Sequence, residues 1–287
     1  MKTTMSKQFL FLAAFGCITA PVAAQTVDVT LQCGQSYTIN STVAATAATG
    51  LTYRWLENGS TVTGTATSYT VPATKSVGIY TYIRQAKTTG CTDWQNSNAF
   101  TVEVKNKEGI DGVCLGGLMW AKYNVDEPGT FAATPEALGK FYQFNRKIAY
   151  PATGTCTWTI IEIDENSDWL VDNNPCPEGW RMPSIQDVTN LRLNTINAGP
   201  TAAHGTYRVC SSALRAIPFP LDPSSCFSSL PFSYRTGSDT FAWGNRVHNW
   251  TTTQYSNTVG LALLLDGRVT HFTWDKSSAM PIRCVHD

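Results

Sequence analysis

The residues able to do chemistry are few and scattered. The four histidines are His204, His248, His271 and His286. None falls at the helical spacing that puts two imidazoles on one face around zinc. The chain has no Gly-x-Ser-x-Gly elbow and no glycine loop of the phosphate-binding kind. Asp164, Glu165, Asp168 and Asp172 cluster at the end of an expected strand. Calcium takes about six to eight oxygen ligands, but these acids lack the spacing of a calcium loop. A solvated turn is the better reading, so neither a metal nor a cofactor is expected. The material for recognition is concentrated elsewhere, in Tyr234, Arg235, Phe241, Trp243, Asn245, Arg246, His248 and Trp250. Aromatic rings beside arginine and asparagine are typical of binding surfaces. Trp250 reads as core, which leaves Tyr234, Arg235, Trp243, Asn245, Arg246 and His248 as the expected ligand-binding set. The pattern points to a non-enzymatic binding protein.

Several elements must position such a surface. Lys2 and Lys7 precede the apolar run Phe9 to Phe15, and Val22-Ala23-Ala24 supplies small residues for cleavage. Residues 1–24 therefore read as a signal peptide, with acylation at Cys17 as the competing possibility. The chain has 21 basic and 21 acidic residues, and losing Lys2 and Lys7 leaves the acids two ahead. That balance gives no support for nucleic acid or an anionic membrane as partner. Outside the leader, no stretch reaches the roughly 20 apolar residues of a spanning helix. Eight cysteines remain beyond Cys17, and an even number in an exported chain implies disulfides.

Residues 26–105 carry short alternating runs: Val27–Leu31, Ser36–Asn40, Thr52–Leu56, Ser68–Val71, Gly78–Ile83 and Ala99–Val104. Glu57-Asn58-Gly59 reads as a turn. Strands at this spacing, without helix signals, imply an all-β sandwich. Residues 106–112 are charged and punctuated by glycine, as a linker would be. Beyond them, Gly117–Val125 and Thr157–Ile163 read as strands. Thr134-Pro135 looks like the start of a short helix running to Asn145. Ser184 and Asp187 have the spacing of a helix cap, with Ile185, Val188, Leu191 and Ile196 recurring behind them. The richest turn signal is Asp266-Gly267, between Leu261–Leu265 and Arg268–Phe272. Two helices among strands and long loops imply an α+β domain over residues 113–287.

Two resemblances follow from these blocks. Tyr53-Arg54-Trp55, Gly78–Tyr82 and Phe100–Val104 resemble an immunoglobulin-like module of the kind found on Bacteroidetes surface proteins. Tyr82 stands where the second core cysteine of antibody domains would be, so Cys33 is expected to pair with Cys91 instead. The second resemblance rests on Gly117–Val125, Cys176-Pro177-Glu178-Gly179-Trp180-Arg181-Met182-Pro183, Leu230–Arg235, His248–Thr253 and Pro281–Asp287. Their order is similar to that of the Fibrobacter succinogenes major paralogous domain, a family with a C-type-lectin-like fold. The resemblance implies a Cys176–Cys284 bridge. The remaining cysteines stay open, with Cys114–Cys156 and Cys210–Cys226 as the working assignment. The motifs through which C-type lectins hold calcium and sugar are lacking. The expectation is thus an immunoglobulin-like sandwich followed by an α+β C-type-lectin-like domain. Its implied role is cell-surface or fimbrial-tip adhesion, with a glycan, a surface protein or fimbrial subunits as partners. A polysaccharide-binding accessory of nutrient capture, or a structural surface-layer subunit, are the alternatives.

Overall fold

The computed structural model describes residues 27–40, 51–62, 64, 67–88, 92–158, 166–198, 207–211, 226–229, 232–237, 241–243, 246–265 and 268–287. The chain divides into two compact units. The first comprises residues up to Ala73 and Gly78–Lys105; the second comprises Thr74–Val77 and Asn106–Asp287.

The first unit holds β1 (Val29–Gln32), β2 (Tyr37–Ile39), β3 (Leu51–Glu57), β4 (Ser60–Val62), β5 (Tyr69–Val71), β6 (Gly78–Thr88), β7 (Gln95–Asn96) and β8 (Phe100–Lys105). One sheet runs β1-β8-β6-β3-β4, with β7 on β6, and β2 pairs with β5 in a second. The β3–β4 turn places Asn58 and Gly59 at positive φ, 48° and 81°, the primed turn whose twist matches a hairpin. Trp55 and Tyr82 are fully buried, and Tyr69 lies between them, 5.6 Å from Trp55 and 5.2 Å from Tyr82. Burial pushes the Tyr82 phenol well above its ordinary range. Three aromatic rings thus fill the centre where antibody domains place a disulfide. Cys33 is disulfide-bonded; Cys91 lies outside the described residues.

The second unit holds β9 (Gly112–Leu115), β10 (Leu118–Asn124), β11 (Lys140–Gln143), β12 (Tyr150–Pro151), α1 (Ile185–Asn194), β13 (Thr195–Ala198), β14 (Tyr207–Ser211), β15 (Cys226–Ser229), β16 (Phe232–Arg235), β17 (Phe241–Trp243), β18 (Val247–Gln254), β19 (Val259–Leu265), β20 (Val269–Asp275), β21 (Ala279–Met280) and β22 (Arg283–His286). Four sheets result: β22-β10-β9, β12-β11-β21-β16-β17, β13-β14-β15 and β18-β19-β20.

This architecture overturns the expected α+β lectin-like domain. Among the described residues there is one α-helix, α1, and one short 3-10 turn, Val171–Asn173. The expected helix over 134–145 is instead a turn followed by strand β11. Gly139 explains the difference. It sits at φ 66° with an ideal Cβ position only 2.1 Å from the Val125 carbonyl oxygen, so the chain breaks there. Lys140 N then donates to Val125 O at 3.0 Å and starts β11.

The helix at Ser184 does form. Ser184 accepts from Asp187 N, and Asp187 accepts from Ser184 N at 2.7 Å, a reciprocal capping box. Val188 and Leu191 bury against Val113, Leu115, Trp120, Leu263, Leu265 and Val285. Ile196 lies beyond the helix, in β13. A second core gathers Tyr142, Phe144, Trp169, Met182, Trp250, Met280 and Ile282.

The Cys176–Cys284 disulfide is present, the mark of an oxidising, extracytoplasmic compartment. Arg181 and Val285 exchange both backbone hydrogen bonds beside it, at 2.9 and 2.8 Å. The working Cys114–Cys156 pairing is corrected: Cys114 is disulfide-bonded while Cys156 keeps its thiol. Cys210 and Cys226 stand directly opposite in the backbone register of β14 and β15.

Candidate functional site

The expected binding segment is divided between core and surface. Arg235 is fully buried. Its guanidinium donates to Gly237 O at 2.8 Å, Pro151 O at 2.7 Å and Gly154 O at 2.6 Å. It therefore knits the β16 end to the β12 loop and is not available to a ligand. His248 is 4% exposed. Trp250 is buried and donates from Nε1 to Tyr142 O at 2.9 Å. Arg246 is exposed just before β18. Trp243 has its backbone in β17, while its side chain and all of Asn245 lie outside the described residues. Asp164, Glu165 and His204 lie outside them too. Asp168 accepts from Gln254 N at 2.8 Å, a structural use, and Asp172 sits in the 3-10 turn. No group of three or more metal-type ligands occurs among the described residues.

What remains of the segment joins residues that sequence reasoning missed. Tyr234 on β16 lies 4.4 Å from Trp274 on β20, ring centroid to centroid. Phe272, two residues earlier on β20, lies 5.7 Å from the same indole. His248 supports both from beneath, 5.4 Å from Trp274 and 6.3 Å from Tyr234. Phe272 is 43% exposed; Tyr234 and Trp274 are half-buried. The result is a continuous platform of three rings at the rim of the second core.

Strand geometry puts it there. Phe272 and Trp274 are two apart on one strand and share a face. In the β19–β20 register Phe272 stands opposite Ala262, and Trp274 opposite Gly260. Those partners are small because Phe144 and Trp250 occupy the space: a Cβ on Gly260 would come within 2.7 Å of Phe144 and 3.0 Å of Trp250. Among the described residues β20 has β19 as its one strand partner, so its aromatic side chains reach the edge of the sheet. Trp274 Nε1 donates to Ser278 Oγ at 3.2 Å, which fixes the indole plane. The alternation in His271-Phe272-Thr273-Trp274, behind a clear hairpin turn, was the available sequence signal. Chemically, such a platform offers apolar ring faces with a rigid backing.

No family model and no curated protein matches this chain. Among solved structures, one similar chain is a quinonprotein alcohol dehydrogenase-like protein from Bacteroides thetaiotaomicron. It is 12% identical over 82% of this chain and 42% of that one, with a TM-score of 0.25. This chain therefore spans less than half of that protein. Another is SGBP-B of a Bacteroides ovatus mixed-linkage glucan utilization locus, in complex with a mixed-linkage heptasaccharide. It is 10% identical over 92% of this chain and 96% of that one, with a TM-score of 0.24. At such scores neither likeness carries an argument about fold or function.

Proposed function

We propose that this is an exported, non-catalytic cell-surface recognition protein that binds glycan through the aromatic platform of its second unit. One observation carries the reading: Tyr234, Trp274 and Phe272 form an unbroken row of rings, open to solvent at Phe272. Sugar rings present apolar C–H faces that stack on such surfaces, and the large rigid rings lose little conformational entropy on binding. The Cys176–Cys284 bridge fits the extracellular side of this reading. Kinship with the major paralogous domain family is part of the proposal. Its support is that the block around Cys176 and the closing block meet at that disulfide and at the Arg181–Val285 pair.

The test is binding to an immobilised panel of neutral and acidic oligosaccharides. Phe272→Ala and Trp274→Ala should each weaken the bound signal by roughly tenfold, about 1.4 kcal/mol, with the fold intact by circular dichroism. Undiminished binding in both variants sinks the platform.

Fimbrial membership is the second reading, and β20 favours it. Among the described residues it is a seven-residue edge strand, Val269–Asp275, without lysine or proline. Natural edges usually carry such residues to block pairing, and an unblocked edge admits a strand from a neighbouring subunit. Shearing filaments from native cells should co-purify the protein with fimbrial subunits. Recovery alone with the outer membrane would remove this reading.

A further inference from the structure

The second unit contains another recess, built from residues outside the aromatic platform. Tyr123, Phe131 and Trp180 wall a cleft of about 250 Å³ whose floor and lip include Asp111, Ala132 and Ala133. Phe131 and Trp180 meet edge to face, centroids 5.3 Å apart with the planes at 89°. Tyr123 closes the third side, 6.2 Å from Phe131. Ala132 and Ala133 also line a second, more open groove of about 400 Å³, together with Asp126, Lys140 and Thr153. Buried Ala132 and exposed Ala133 line both recesses, so the two adjoin along this pair.

The walls are held from behind. Trp180 abuts Gly112, where an added Cβ would come within 3.2 Å of the indole. On its other side the indole meets His286 at 5.5 Å. Phe131 is fixed by the backbone bridge between Val125 and Phe131.

The charge pattern selects the ligand class. Among the described residues Asp111 is the one charged residue lining the cleft, and Lys122 Nζ donates to it at 2.8 Å. The Tyr123 phenol interacts with the same carboxylate. The Lys122 hydrogen bond holds the Asp111 carboxyl below the usual range, and its bond to that carboxylate pushes the Tyr123 phenol up. In the groove, Lys140 pairs with Glu127 at 3.4 Å. Lys122 and Lys140 are each committed to a carboxylate and Asp126 adds a further one to the groove, so a polyanion gains nothing from the field. Aromatic walls with a carboxylate acceptor and hydroxyl and ammonium groups at the rim instead match the surface of a neutral pyranose. The volume lies just below that of pockets for drug-sized ligands, which suits a single ring.

We infer that this trough is a second glycan site, which seats one ring of a neutral oligosaccharide between Tyr123, Phe131 and Trp180 and passes the chain over Ala132–Ala133. It goes beyond the platform reading and does not depend on it.

The experiment is titration of the full-length mature chain with neutral hexasaccharides of the gluco-, manno-, galacto- and xylo- series, a heparin hexasaccharide and an uncharged hexapeptide. Binding is read by calorimetry and by tryptophan fluorescence. Asp111→Asn and Ala133→Trp change the trough at its rim and at the Ala132–Ala133 pair, where folding is least at risk. Tyr123→Phe keeps the wall and removes the hydroxyl. The expected result is binding of at least one neutral series, weakened tenfold or more by Asp111→Asn and by Ala133→Trp and less by Tyr123→Phe. Phe272→Ala should leave that loss unchanged. If only Phe272→Ala and Trp274→Ala reduce binding, the platform stands and the trough is refuted. If only the trough variants do, the trough stands and the platform falls. Preference for the heparin hexasaccharide or the peptide, or no binding of any neutral series, overturns the trough as well.

Discussion

Arg235 separates a residue's type from its role. In sequence it stands between Tyr234 and a run of polar and aromatic residues, as a ligand-contacting arginine would. In the fold it is fully buried and donates to three backbone carbonyls, of Gly237, Pro151 and Gly154. Hydrogen bonds to a charged donor contribute about 1.5–3 kcal/mol each, and stranding a buried acceptor costs about 1–3 kcal/mol. Replacing the side chain with an apolar one of similar length therefore removes several interactions together. Arg235→Met should lower the unfolding free energy by about 3–5 kcal/mol in denaturant titration. The affinity of the remaining folded protein for glycan should not change. A folded variant of normal stability with tenfold weaker binding would return Arg235 to the recognition surface. Nothing local in Tyr234-Arg235 distinguishes these roles, because the carbonyls of Pro151 and Gly154 come from a loop more than eighty residues earlier. The neighbouring Tyr234 was legible as a surface ring. Its partner Trp274 was not, since their contact also joins distant strands.

At the scale of elements, local signals succeeded where local forces decide. The Ser184–Asp187 box needs only three residues of spacing, and it forms with both reciprocal bonds. The Asn58-Gly59 turn likewise follows from the φ values those residues tolerate. Residues 134–145 failed because Gly139 breaks the chain and because of a non-local pairing. Their spacing suits a helix, but Phe141 and Tyr142 are both buried within a five-stranded sheet, paired with β12 and β21. Tertiary pairing outweighs helix propensity, which differs by less than about 1 kcal/mol per residue among ordinary residues. The resulting error propagated, because one misplaced helix made the second unit look α+β. The cap, by contrast, is local enough to test alone. Ser184→Ala leaves Asp187 N without its acceptor and should cost about 1 kcal/mol, read as a lower denaturant midpoint with an unchanged slope. An unaltered midpoint would mean that packing of Val188 and Leu191 fixes the helix start without the box.

At the scale of the molecule, the second unit has an unusual problem of cohesion. Among the described residues it has four separate sheets, none with more than five strands, and one ten-residue helix. Small sheets with long connections leave an unfolded chain of high entropy to be ordered. The Cys176–Cys284 bridge addresses this directly, since it closes a loop with a sequence separation of 108. Restricting a loop of that length is worth about 4–5 kcal/mol in the chain-entropy account. The bridge does not act alone on this seam. Arg181 and Val285 exchange two backbone bonds, Arg181 pairs with Asp287 and Asp187, and Thr252 N donates to Pro183 O at 2.8 Å. These contacts hold the seam once folded but do nothing to the unfolded chain, so they cannot replace the covalent constraint. The double variant Cys176→Ala/Cys284→Ala should therefore still fold, with its transition lowered by on the order of 10–15 °C, taking about 2–4 °C per kcal/mol for a unit of this size. Platform binding measured well below that transition should be retained, because Tyr234, Phe272 and Trp274 sit on other strands. A fall of only about 3 °C would assign the cohesion to the hydrogen-bonded seam and the buried core. Loss of folding would show that the seam forms only after the bridge has closed.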